Sequence, residues 1–293
     1  MGNIYTLSAY KSGAALIKGI KSFDLSPNIQ QILTGGSGST DNTFAAIGQI
    51  SPEIGFSTSA IKTALALSGY AGVAMSNDTF YFLKRAAGGV RSATAHKKII
   101  AATGLLIPGQ LSAQQGQEAS LSYKAHPTSP DGSASPLAIS SSDTIEAGQD
   151  LVTEIYVMGP VSINGSTLAG VTQFTIDFGI QVHKDICDGD IYPQIASILT
   201  RNPSIVITTY DVDAFATWAL DGDAQGETDS TLQLLDQAAG GVRGSSPITF
   251  SVDAGMMTTE NITGNHGEIL GHQVKITPIS DGTAATIAIT GIT

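Results

Sequence analysis

The chain has 293 residues, of which only 13% are charged, and a formal net charge of -11. That length suits one large domain or two of ordinary size, and the acidic balance excludes a surface built to grip nucleic-acid phosphates, which needs clustered lysine and arginine. A single cysteine, Cys187, excludes an internal disulfide and any multi-cysteine metal site.

In chain order, β-rich and alternating segments predict strands at 4–10, 17–32, 43–57, 79–85, 97–107, 119–125 and 137–141, separated by glycine and proline turns. The start lacks the basic-then-apolar order of a signal peptide, and no apolar run is long enough to span a bilayer, so a cytoplasmic product without a membrane anchor is expected. Between the second and third predicted strands lies a glycine-rich stretch, Gly35, Gly36, Ser37, Gly38, Ser39 and Thr40, that cannot bury itself. Residues 59–67 predict a helix, with Ser59 as N-cap, Ile61, Ala64 and Leu65 on one face and Gly69 as its stop. Then AAGGVR, at 86–91, follows a strand; Gly88 and Gly89 supply the positive φ of a tight reversal, and Arg91 sits just after it.

The same six residues return at 238–243, with Gly240, Gly241 and Arg243 in the same roles. The spacing holds along the chain: Gly19 faces Gly170, Phe23 faces Phe174, Ile29-Gln30 faces Ile180-Gln181, and Gly104 faces Gly255, each 151 residues on. Ile47 and Ile50 match Ile195 and Ile198 at 148, which implies three extra residues near 201–203. The second helix is then expected at 211–220, with Asp211, Val212, Phe215, Ala216 and Ala219, and Trp218 at the core edge. The expected fold is mainly β: two tandemly duplicated β-sandwich or barrel domains, 1–148 and 149–293, each with one flanking helix and joined by a polar linker near Gly148.

Chemical motifs are sparse. GGSGS lacks the second glycine of a nucleophile elbow, since Ser39 stands in its place, and the five histidines are not at zinc-ligand spacing. Asp221, Asp223, Gln225, Gly226 and Asp229 fall at calcium-loop positions, but Leu232 occupies the place of the bidentate glutamate, so a solvated acidic loop is the expectation. No catalytic residue, cofactor or metal is expected. The halves differ in charge, with 10 basic against 8 acidic residues in 1–148 and 4 against 17 in 149–293. Alternating them around a ring would set unlike surfaces against each other.

The duplicated strand order, the helices at 59–67 and 211–220, the extended start and the glycine-rich stretch resemble the tail tube (major tail) proteins of long-tailed bacteriophages. That resemblance implies a structural subunit of the virion tail, in stacked six-fold rings; a fused pair of tube domains would close a pseudo-hexamer with three chains. It also implies a long loop reaching the adjacent ring, here residues 33–42 with 35–40 as the candidate contacts, and partners comprising further copies of itself and the tail terminator, tape measure and distal tail proteins, with DNA only as cargo. An acidic lumen would repel that DNA, and Asp177, Asp185, Asp188 and Asp190 are the candidate lumen-facing carboxylates. Alternatives are a distal-tail or baseplate hub protein of the same fold and a calcium-binding β-sandwich adhesin.

Overall fold

The computed structural model describes residues 4–37, 40–86, 89–92, 94–145, 149, 151–152, 154–187, 189–211, 225–227, 229–238, 241–264, 271–280 and 285–292, with backbone alone at 142 and 225–227. The first half contains β1 (Ile4–Ser12), β2 (Ala15–Ile17), β3 (Ile20–Ser26), β4 (Ile29–Thr34), β5 (Phe44–Ile50), β6 (Glu53–Thr58), α1 (Ile61–Ser68), β7 (Val73–Arg85), β8 (His96–Gln114), β9 (Ser120–Thr128) and β10 (Leu137–Asp143). The second contains β11 (Tyr156–Ile163), β12 (Ser166–Thr167), β13 (Val171–Asp177), β14 (Ile180–Asp185), β15 (Ile195–Arg201), β16 (Ser204–Thr209), β17 (Gln225–Glu227), β18 (Ser230–Asp236), β19 (Ile248–Val252), β20 (Gly255–Thr263), β21 (Gly271–Pro278) and β22 (Ala288–Thr290). The protein is mainly β, of β-sandwich type, with α1 the only helix among the described residues. The expected second helix and the calcium-loop positions Asp221 and Asp223 lie outside the described residues.

In the first half, one run of antiparallel pairs joins β2, β1, β7, β8 and β10, and a second joins β3, β6, β9 and β8. The long β8 belongs to both. It can turn between them at Gly104, whose φ of 148° only glycine adopts readily and where a side chain would strike the His126 carbonyl. In the second half β12, β11, β18, β19 and β22 pair in that same order, and so do β13, β16, β21 and β20. The AAGGVR segments also close alike. Ala86 N–H donates to Val90 O and Gly89 N–H to Ala86 O; Ala238 donates to Val242 and Gly241 to Ala238. Gly89 (φ 77°) and Gly241 (φ 87°) carry the positive φ, while Gly88 and Gly240 lie outside the described residues.

The stretches 17–32 and 43–57, expected as single strands, each break in two. Pro27-Asn28 and Ser51-Pro52 interrupt them, since proline cannot donate to a ladder and Asn28 turns the chain at φ 46°. Thus β4 and β5 leave the main sheet as a separate two-stranded hairpin, and β14 and β15 do the same. The registers correct the 148-residue match. Ile29 pairs with Ile50 and Ile180 with Arg201, and Gln31 pairs with Ile47 and Val182 with Ile198, so Ile47 corresponds to Ile198. The spacing stays at 151, nothing is inserted near 201–203, and the tip segments 35–43 and 186–194 are equal in length.

The cores share positions but not side chains. Tyr10, Phe56, Phe80 and Tyr123 are buried in the first half with ring centroids 4.8–5.5 Å apart. Their counterparts, Val161, Ile207, Leu232 and Val274, are aliphatic and equally buried. The Tyr10 hydroxyl donates to the buried Asp78 carboxylate, and burial beside that carboxylate raises the tyrosine pKa far above its usual value. Ser230 takes the place of Asp78 in the second half.

α1 begins one residue later than expected. Its N-cap is Ala60, which offers no side-chain acceptor; Thr58 Oγ1 accepts from Ala60 N–H at 3.0 Å, and Glu154, from the linker, accepts from Thr63 N–H at 3.1 Å. A carboxylate there also complements the helix dipole. Glu154→Ala should therefore lower stability by about 0.5–2 kcal/mol in denaturant unfolding. Tyr10→Phe should cost about 1–3 kcal/mol in the same assay, because the Asp78 carboxylate would keep only the Ser76 N–H at 3.3 Å.

Candidate assembly interface

The halves meet by strand pairing. On β8 the residues Gln110, Leu111, Ser112, Ala113 and Gln114 pair with Asp177, Ile176, Thr175, Phe174 and Gln173 on β13. Two further backbone bonds extend the seam, Phe178 N–H to Gly109 O at 3.0 Å and Gln115 N–H to Thr172 O at 2.8 Å. Alternation sorts the faces: Leu111, Ala113, Phe174 and Ile176 are fully buried, and the glutamines, serine, threonine and Asp177 point the other way.

The far edges of this sheet have the same composition without the same cover. β3, which corresponds to β13, pairs among the described residues only with β6; β20, which corresponds to the end of β8, pairs with β21 and, at Gly255–Met257, with β17. Asn261, Ile262 and Thr263 have no strand on their outer side among the described residues. Ile262 stands where Leu111 stands at the seam, yet it is 42% exposed and Leu111 is 0%. Phe23 and Leu25, in the places of Phe174 and Ile176, are only half-buried.

The two hairpins are also unequal in surroundings. β14–β15 lies against the first half: Ile191 and Tyr192 N–H donate to Gly132 O, Ser129 N–H donates to Pro193 O, and Ile50 N–H donates to Ile191 O at 2.8 Å. Gly132 (φ 71°) leaves room there for Asp190, which would overlap a side chain at that position. The Lys184 ammonium donates to Ser51 Oγ at 3.1 Å and lies 3.8 Å from Glu53, which Lys124 and the buried His126 approach at 3.6 Å. In β4–β5, by contrast, every residue of β4 is exposed and β5 is exposed in part, with Ile29, Ile32, Leu33, Phe44 and Ile47 each 46–59% accessible; β15 also exposes Ile195 and Leu199.

Among the expected site residues, Gly35, Gly36, Ser37 and Thr40 are exposed at the tip of β4–β5, and Gly38 and Ser39 lie outside the described residues. Asp177 ends β13 at the seam and accepts from Gly179 N–H at 2.9 Å. Asp185 ends β14, Asp190 sits at the tip of that hairpin against Gly132, and Asp188 lies outside the described residues. Of the described carboxylates, Asp177 is thus on the main sheet, and Asp185 and Asp190 are on the hairpin. Arg91 donates to Ile145 O, whereas Arg243 is exposed. Sequence reasoning passed over the seam itself; QLSAQ at 110–114 and QFTID at 173–177 carry its signal as matching polar-apolar alternation.

The outward face of the eight strands from β3 to β20 is mostly Gln, Ser and Thr. Lys124 and Lys275 stand on it against Asp24, Glu53, Asp177 and Glu260. Among the described residues no cluster of three or more His, Cys, Asp or Glu could hold a metal, and no helix is long and apolar enough to cross a membrane. No protein-family model matches the sequence, and no curated protein matches it significantly.

Three buried histidines set a pH limit. Burial lowers the pKa of His96, with the Arg91 guanidinium adding to it, and that of His126, helped by the nearby Lys184 ammonium, and burial lowers that of His272 to about 4. All three are neutral in the fold near pH 7. An unfolded chain protonates them near the ordinary histidine value, so stability should fall as pH drops from about 6.5 towards 4. His272→Leu, which installs the residue of the matching position Leu121, should flatten that slope in melting curves recorded across the interval.

Proposed function

We propose that this chain is a structural subunit of a phage-type tail tube, a tandem duplicate whose three copies close a ring of six units that stacks into a tube. One observation carries the reading: the chain joins its halves through β8 and β13, while among the described residues the corresponding edges, Asn261, Ile262 and Thr263 of β20 and the outer side of β3, have no partner strand. A second copy can then add head to tail with the pairing already used inside the chain, burying Ile262, Phe23 and Leu25 as Leu111, Phe174 and Ile176 are buried. Such heterologous contacts close into rings when the rotation allows, and closure removes sheet edges that would otherwise aggregate.

The polar face opposite the core suits a channel wall. Its Gln, Ser and Thr side chains with few, mixed charges offer no cluster of cations to hold phosphate, and the net charge of -11 keeps the whole assembly repulsive to DNA. This places the barrier to sticking in the sheet face, with Asp185 and Asp190 serving the hairpin.

Purified chain examined by electron microscopy should form rings or tubes, and native mass measurement of a single ring should give three chains. Ile262→Lys should abolish assembly and leave the melting temperature of the subunit nearly unchanged, since that side chain is already exposed. Monomers under all conditions, or rings of six chains, would overturn the reading.

A further inference from the structure

The β14–β15 hairpin has a seat within its own chain, whereas among the described residues the tip of the matching β4–β5 hairpin makes no such backbone bonds to another part of the chain. We infer that β4–β5 seats on the second half of a neighbouring copy in the same ring, over β16 and β21, as β14–β15 seats over β6 and β9. The inference rests on the ring reading above, because it takes the β20–β3 pairing to place the neighbour as β8–β13 places the halves.

Position by position the match is specific. In the seated hairpin Ile180, Val182 and Lys184 form the half-buried face of β14; on β4 the same places hold Ile29, Gln31 and Leu33, all exposed. The tip residue Ile191 bonds to Ile50 at the base of the first hairpin; Thr40 corresponds to Ile191 and Arg201 to Ile50. Each hairpin tip would thus rest on the base of the next hairpin around the ring. The glycine-rich stretch, expected to reach an adjacent ring, is assigned instead to a lateral neighbour.

The two seats differ chemically. Inside the chain, Lys184 meets Glu53 beside His126 and Lys124. Between copies Leu33 takes the place of Lys184, Ser204 that of Glu53 and Thr277 that of His126, with Lys275 in the place of Lys124. An ion pair is thereby replaced by Leu33 against the uncharged Ser204 and Thr277, with Lys275 the one charge among these four positions. Contacts between copies at this seat should accordingly resist salt.

Cross-linking tests this. In a Cys187→Ser background, Leu33→Cys with Ser204→Cys reports the hairpin seat, and a separate chain carrying Asp24→Cys with Thr263→Cys reports the edge pairing. Oxidised assemblies run on non-reducing gels should give a ladder of covalent multimers from each, both stopping at the same rung. A ladder from the edge pair alone overturns the hairpin assignment and leaves the ring. A hairpin ladder that climbs past the edge ladder means contact between rings and overturns the lateral seat. No ladder from either overturns the ring and the seat together, and a hairpin ladder alone retains the seat and overturns the edge pairing. Leu33→Asp supplies a second measure: the subunit's melting temperature should be unchanged while assembly falls at least tenfold, and undiminished assembly counts against the seat.

Discussion

An unpaired strand edge is a row of amide and carbonyl groups that must find partners, and this requirement organises the molecule. Within the chain it is met at β8 and β13, where five residues on each strand close the gap between the halves. The core runs through that seam, where Leu111 and Phe174 are fully buried. The proposed ring applies the same requirement at β3 and β20.

The hairpins depend on it as well. Once β13 is fixed beside β8, β14–β15 must emerge over the first half, and its tip meets Gly132 and Ile50 through backbone bonds that place little demand on side chains. Specificity at that contact is supplied by Lys184 and Glu53, a partly buried pair whose loss would leave a charge without its counterpart.

Much of this was legible in the sequence. The 151-residue spacing matched strands of the two halves, since Ile54 and Ile205 answer to the same burial demand and Gly104 and Gly255 to the same close approach of the strand opposite. The strand breaks at Pro27 and Pro52 were less so: β-rich residues continue on both sides of each, so alternation alone reads through them. The cap of α1 was hidden because Glu154 is remote in sequence, and no local pattern announces a carboxylate arriving from a linker. The candidate carboxylates were chosen by charge and proximity to a strand, which cannot tell a sheet face from a hairpin that has left the sheet. Nor does composition tell a buried seam from an open edge, for Leu111 and Ile262 are alike as residues and differ only in what lies next to them.

Two halves with one pairing order carry a hazard, because a strand of either half fits the hydrogen-bond pattern of the other's slot. The unlike cores supply a barrier. If β6 entered the place of β16, Phe56 would have to occupy the space of Ile207, and the reverse exchange would leave a void among Tyr10, Phe80 and Tyr123. Overpacking costs about 1–3 kcal/mol and an isoleucine in the place of a phenylalanine leaves lost contacts and a residual void, so exchanged forms are penalised on both sides at once. Divergence of the interior, invisible in the strand order, thus acts as a proofreading step during folding: each half recognises its own strands by volume where the backbone cannot.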